Sequence, residues 1–288
     1  MLGLLRCNVS LMTDFFILKL FLSFFAGSLW ITAGTVLAER YGTKIGGLIA
    51  GVPSTILLSF FFIAWTQSAD IAVEATSIVP LIGGITCLFV VAYIVLLKVN
   101  FWVALAGALF VWSSLSYTVV FLKFNNFAVS LLMYVLLLFL SYCFVDKVLK
   151  VRSEPGKELR FTFAAMLFRA LFSGGVIALA VVMTKIGGPL LGGMFSMFPA
   201  MFIGILFITY FSNGPSFSAA VMKAAMPGAI SVVVYGLSVR YTYLTLGLLW
   251  GTLVSFLASL ASSFLIHYFM KRRSLQNQDS ALHRKAES

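Results

Sequence analysis

The residues whose types and spacing could hold a ligand fall in two stretches of similar grammar. One reads Gly46-Gly47-Leu48-Ile49-Ala50-Gly51-Val52-Pro53-Ser54-Thr55, the other Gly187-Gly188-Pro189-Leu190-Leu191-Gly192-Gly193-Met194-Phe195-Ser196-Met197-Phe198-Pro199. Proline removes a backbone donor and clashes with the carbonyl four residues back, and glycine lets the chain loosen. A helix broken this way exposes carbonyls on one side of the break and N–H groups on the other. The new helix start, capped by Ser54 or Thr55, carries partial positive charge and suits an anion. Pro189 says less, because a first helical turn tolerates proline. The competing reading is close packing through small residues four apart. It is the better account of the pairs Gly47/Gly51 and Gly188/Gly192; at Pro53 and Pro199 the two readings weigh equally. The candidate substrate-binding residues are therefore Gly51, Pro53, Ser54, Thr55, Ser196 and Pro199, together with Arg169.

Arg169 is the second pointer. It lies about eight residues into an apolar run, ~12 Å at 1.5 Å per residue. An arginine at that depth costs at least ~2.5–3.5 kcal/mol on insertion scales, so it is expected to face the protein interior or a wet cavity. Lys223 is shallower and reads as a snorkelling side chain; Lys44, Lys185 and Arg240 read as anchors at span ends. All nine acidic residues fall in loops, tails or span ends. That weakens cation coupling through an intramembrane carboxylate and favours an anionic substrate or lipid headgroup. The two histidines, His267 and His283, belong to no metalloprotease motif, and no nucleophile elbow or P-loop occurs. No catalytic residue, metal ligand or cofactor is expected, and the chain does not read as an enzyme.

The elements that must position these residues are membrane helices. The chain is 61% hydrophobic and 10% charged, against about 25% charged in soluble domains, and its apolar runs match the roughly 20 residues that span a bilayer. The fold class expected is all-α, a polytopic membrane bundle. Its nine spans are Phe15–Ala38, Ile45–Trp65, Thr76–Leu97, Phe101–Leu122, Phe127–Val148, Phe161–Met183, Pro189–Phe211, Phe217–Leu237 and Tyr243–Phe269. The net charge of +11 is not a nucleic-acid signal, because the Lys and Arg residues sit between apolar runs as topology requires. Cys7, Cys87 and Cys143 suggest neither a disulfide framework nor a zinc site. The first run is too long for a signal peptide and lacks a cleavage site. Placing the two richest basic segments, 146–160 and the C-terminal tail, in the cytoplasm puts the N-terminus outside. Lys44 and Lys98 then fall inside, and Asp70, Glu74, Lys123, Lys185 and Arg240 fall outside.

The chain also repeats. Thr43-Lys44-Ile45-Gly46-Gly47 recurs as Thr184-Lys185-Ile186-Gly187-Gly188, and Thr32-Ala33-Gly34 matches Ser173-Gly174-Gly175 at the same offset of 141. The pairs Pro53/Pro199 and Pro80/Pro227 follow at offsets of 146 and 147, as though the second half carried about five extra residues near 194–198. The expected organisation is a four-helix repeat over 1–122, a linking helix and basic loop over 123–160, a second four-helix repeat over 161–270, and a disordered cytoplasmic tail over 271–288. Five spans separate corresponding helices, so the two repeats must run in opposite directions through the membrane. Inverted repeats are the architecture of many secondary transporters.

Each half resembles the small four-helix bacterial inner-membrane proteins of the GlpM-like type. The residues that carry the likeness are Gly46 through Pro53 in one half and Gly187-Gly188-Pro189-Leu190 through Phe198-Pro199 in the other. The resemblance covers roughly 100 residues per half and implies a multi-pass protein of a bacterial cytoplasmic membrane, as if two units were joined through the fifth span. The functional expectation is a secondary transporter or lipid flippase for a small, anionic substrate. The alternative is a non-transporting scaffold or assembly protein; an intramembrane lipid enzyme comes third. The expected partners are membrane lipid, a small-molecule or lipid substrate, and a second copy of the chain in a homodimer, with no nucleic acid.

Overall fold

The computed structural model describes residues 2–40, 53–151 and 163–286, with side chains placed over 15–34, 36, 53–151 and 163–269. Among these residues every regular element is helical, as the apolar runs require: without water, a backbone satisfies its polar groups most simply inside a helix. The helices are α1 (Leu2–Arg40), α2 (Ser54–Thr66), α3 (Ala69–Ala75), α4 (Val79–Leu96), α5 (Phe101–Phe121), α6 (Phe127–Cys143), α7 (Phe163–Ser196), α8 (Ala200–Gly228) and α9 (Ile230–Ala286). A 3₁₀ turn at Thr76–Ile78 joins α3 to α4, and a π turn at Phe144–Val148 extends α6.

The last three helices are not continuous rods. Gly188, Gly214 and Gly247 carry φ of 83°, 85° and 74°, a region that only glycine enters freely. At each of them the chain doubles back. A Cβ on Gly192 would collide with the side chain of Thr184, although eight residues of straight helix would separate them by ~12 Å. Thr209 Oγ1 donates to Ser218 Oγ across Gly214 at 3.0 Å. Thr242 Oγ1 meets Ser255 Oγ across Gly247 at 2.9 Å. Residues 163–187 and 189–196, 200–213 and 215–228, and 230–246 and 248–286 are thus the paired arms of three tight helical hairpins. Two of the turns are Gly-Pro, with the proline at the first position of the returning helix, where its missing N–H costs nothing.

Among the described residues five helical segments are long and apolar enough to cross a bilayer, the last of them, Phe163–Phe269, taking in the three hairpins. The one over Ala69–Leu96 has 72% of its most apolar window buried, and the one over Phe15–Gly34 has 17%. α3 and α4 therefore form the middle of the bundle and α1 its rim. Large side chains such as Phe60, Phe89, Tyr93 and Trp112 are completely enclosed. Phe21, Phe25, Phe110, Phe139, Leu249, Trp250 and Phe264 stand on the outside. An apolar surface that extensive is stable only against lipid.

Several sequence-based boundaries move. The eighth expected span ended at Leu237, whereas the helix runs to the break at Gly247, so Arg240 lies within a helix rather than in a loop. α9 also continues through Ala286, where a disordered tail was expected. Residues 271–286 contain neither Gly nor Pro and are rich in Lys, Arg, Leu, Gln and Ala, which are good helix formers.

Candidate functional site

The second-half stretch is built around Pro199. Residues 189–196 form a short helix whose Ser196 Oγ donates to Gly192 O at 2.8 Å. The chain leaves helical geometry at Met197 and Phe198, and Pro199 (φ −75°, ψ 42°) starts α8 with no side-chain cap. Ile203 N reaches back to Pro199 O at 3.0 Å. Gly193 packs so closely on the Ala75 carbonyl and Ile78 that a Cβ there would collide with the backbone. Gly192 and Gly193 therefore serve packing, one within its own hairpin and the other against the first half.

Arg169 comes to this break from the neighbouring helix. It is 9% exposed. Its side chain runs alongside Gly204, and Nη2 lies 3.2 Å from Met201 Sδ. The guanidinium thus sits beside the first turn of α8, where backbone N–H groups point outwards. The break is otherwise walled by aromatic rings: Phe198 packs edge-on against Trp112 and Phe172, and Phe202 faces Phe89. A narrow apolar groove lined by Ala165, Phe168, Gly204, Phe207 and Ile208 runs along the outside of the same helix pair.

The first-half stretch is seen only from Pro53 onward; Gly46, Gly47, Gly51 and Lys44 lie outside the described residues. Pro53 (φ −76°, ψ 55°) starts α2 with no side-chain cap, and Leu57 N bonds Pro53 O at 3.0 Å. The expected capping by Ser54 or Thr55 does not occur. Ser54 and Thr55 are the first and second residues of the helix, already past the capping position that Pro53 holds. Ser54, Thr55 and Ser59 are buried. Thr55 Oγ1 and Ser59 Oγ have no hydrogen-bond partner among the described residues. The structure thus sets Arg169 against the first turns of α8, with Ser196 and Pro199 flanking the break before it, and places Pro53, Ser54 and Thr55 at the start of α2. No hydrogen bond among the described residues joins the two groups.

Two cations behave differently from their sequence reading, and a third had none. Lys223 does not snorkel: Nζ bonds Asp146 Oδ1 and Val151 O, both at 2.6 Å. The partner arrives from a segment 77 residues away, which sequence spacing cannot reveal. Arg240 donates to Ser77 Oγ at 3.2 Å and lies over the Phe127 ring at 4.9 Å, tying α9 to the start of α4. Lys19, which no motif marked, bonds Trp65 O at 2.8 Å. Sequence reasoning also missed a buried hydroxyl chain in which Tyr93 Oη meets Ser218 Oγ at 2.9 Å, Ser218 being the acceptor for Thr209.

Comparison with family models, with curated proteins and with solved structures returns no match to this chain.

Proposed function

We propose that this chain is a secondary transporter or lipid flippase that moves a small, anionic substrate across a cell membrane. In this reading it spans the membrane nine times, with its N-terminus outside and its C-terminus in the cytoplasm, as two inverted four-helix repeats around a linking helix. The GlpM-like resemblance belongs to the same reading, each half standing for one such unit.

The observation that carries it is the pairing of Arg169 with the helix start at Pro199. A buried guanidinium beside an uncapped helix N-terminus concentrates positive potential at one point, and carboxylates, phosphates and sulfates are the natural complement. The repeat is supported by backbone geometry that recurs along the chain. Pro53 and Pro199, 146 residues apart, start helices with nearly equal dihedrals and no cap. Inversion is supported by the packing of the first helix of each half. Gly27 faces Gly174, while Phe16 lies under Lys185 Nζ at 3.6 Å. As one helix advances the other recedes, so α1 and residues 163–187 are antiparallel.

Uptake or lipid scrambling in proteoliposomes against a panel of anions tests the function. Selective movement of an anion that Arg169→Ala abolishes is the expected result. Equal handling of neutral and anionic solutes, unchanged by Arg169→Ala, would refute it. A second reading, a scaffold that does not transport, draws on the aromatic packing of Phe198, Trp112, Phe172, Phe202 and Phe89 around the break. That reading predicts no movement of any solute and a stable partner protein retained on purification.

A further inference from the structure

Beside residues 15–19 of α1, the end of α2 and the turn at Gly188 line an open cleft. Phe15, Phe16, Lys19, Thr66, Gln67 and Lys185 line it. Two of these six are cations brought from positions far apart in the chain, and neither belongs to the Arg169 site. Among the described residues the one ion pair is Lys223 with Asp146, so no described carboxylate neutralises either lysine. An ammonium has three donors. Lys19 spends one on Trp65 O at 2.8 Å and rests 5.0 Å from the Trp65 ring centre. Lys185 Nζ stands 3.6 Å above the Phe16 ring, which orients the cation without using a hydrogen-bond acceptor. Gln67 is braced by the bond from Nε2 to Val181 O at 3.3 Å, and its amide oxygen faces no described donor. The cleft holds about 290 Å³, against ~30 Å³ for one water, so it has room for a headgroup.

We propose that this cleft binds the phosphate of an anionic phospholipid, with Lys19 and Lys185 donating to the phosphate oxygens. The surroundings point to a lipid rather than a free anion. Phe15 is 63% exposed and Ile186 75% exposed on either side of the cleft, and Leu18, Phe21 and Phe25 continue the apolar surface along α1. A headgroup seated between the lysines would lay its acyl chains on that surface. Exposed Trp65 beside it is of the type that settles at the headgroup level of a bilayer. Each lysine near a membrane surface attracts anionic lipid, and two in one cleft make the attraction local. The proposal rests on the chain being in a membrane and stands whether or not the chain transports.

Native mass spectrometry of the full chain in detergent tests it, with phosphatidylglycerol, phosphatidylcholine or inorganic phosphate added. The wild type should retain phosphatidylglycerol at least about tenfold better than phosphatidylcholine, and Lys19→Gln with Lys185→Gln should bring the two to parity. Lys185→Gln alone, which breaks no hydrogen bond of the fold, should lose part of the preference; it serves if the double variant does not fold. Lys98→Gln with Lys147→Gln, elsewhere on the surface, should keep it whole. Equal retention of both lipids by the wild type would overturn the proposal, as would a preference that survives loss of both lysines. Protection by inorganic phosphate as strong as that by phosphatidylglycerol would assign the cleft to a soluble anion and also overturn it.

Discussion

The two prolyl helix starts share a backbone and differ in what surrounds them. At Pro53 the neighbours are hydroxyls: Ser54, Thr55 and Ser59 are buried, and two of them have no partner among the described residues. At Pro199 the neighbours are a guanidinium, a thioether and aromatic rings. A common geometry furnished with different chemistry is what an architecture with a shared mechanical role and a one-sided binding role would show. The mechanical part, a helix that starts at a proline without a side-chain cap, needs only proline and small residues. Charge recognition needs one arginine, and among the described residues Arg169 supplies it at the second start.

The largest effect should come from the charge. Arg169→Met keeps much of the side chain's volume and removes the guanidinium. It should lower anion transport by a factor of about ten or more, worth roughly 1.4 kcal/mol or more, while the protein still purifies as a single species. If transport is unchanged, the two helix starts do not differ in the way described.

Packing comes next. Gly174→Val would drive a side chain into Phe24 O and Ser28 of α1, where a backbone carbonyl cannot move aside. The expected loss is about 1–3 kcal/mol, read as a lower melting temperature in detergent. Gly27→Ala meets mainly the end of the Ile177 side chain and should cost less. Equal effects would mean that the antiparallel crossing of α1 with residues 163–187 is looser than described.

The hydroxyls give the subtlest contrast. A buried polar group without a partner is costly, and replacing it with an apolar one of the same shape is often neutral or stabilising. Thr55→Val should therefore leave the melting temperature unchanged or raise it slightly. A concurrent loss of transport would show that the hydroxyl meets the substrate. The smallest effect is expected at Asp146→Asn. It weakens the pair with Lys223, but Asp146 is 49% exposed and solvent screens the interaction, leaving about 1 kcal/mol or less, seen as a small drop in melting temperature.

Much of this was legible in the sequence. The membrane environment followed from composition, and the helix starts at Pro53 and Pro199 from the proline itself. The Gly-Pro turns at 188–189 and 214–215 were marked by residues that enter left-handed geometry or begin a helix. The end of the eighth helix was misplaced because Arg240 looked like a loop residue. Its Nη1 donates to Ser77 and Thr76 from another helical segment, and no local pattern carries that information. Lys223 failed for the same reason.

The opposed orientation of the two halves is the claim on which the rest depends, and site-directed labelling tests it directly. Asp70 and Ser216 are both exposed, each just beyond the helix that follows its half's prolyl break. In a background lacking Cys7, Cys87 and Cys143, single cysteines at these two positions would be exposed to a membrane-impermeant maleimide in sealed, oriented vesicles. Labelling of Asp70→Cys from the outer face and of Ser216→Cys from the inner face alone is the result the account predicts. Labelling of both from the same face would contradict it.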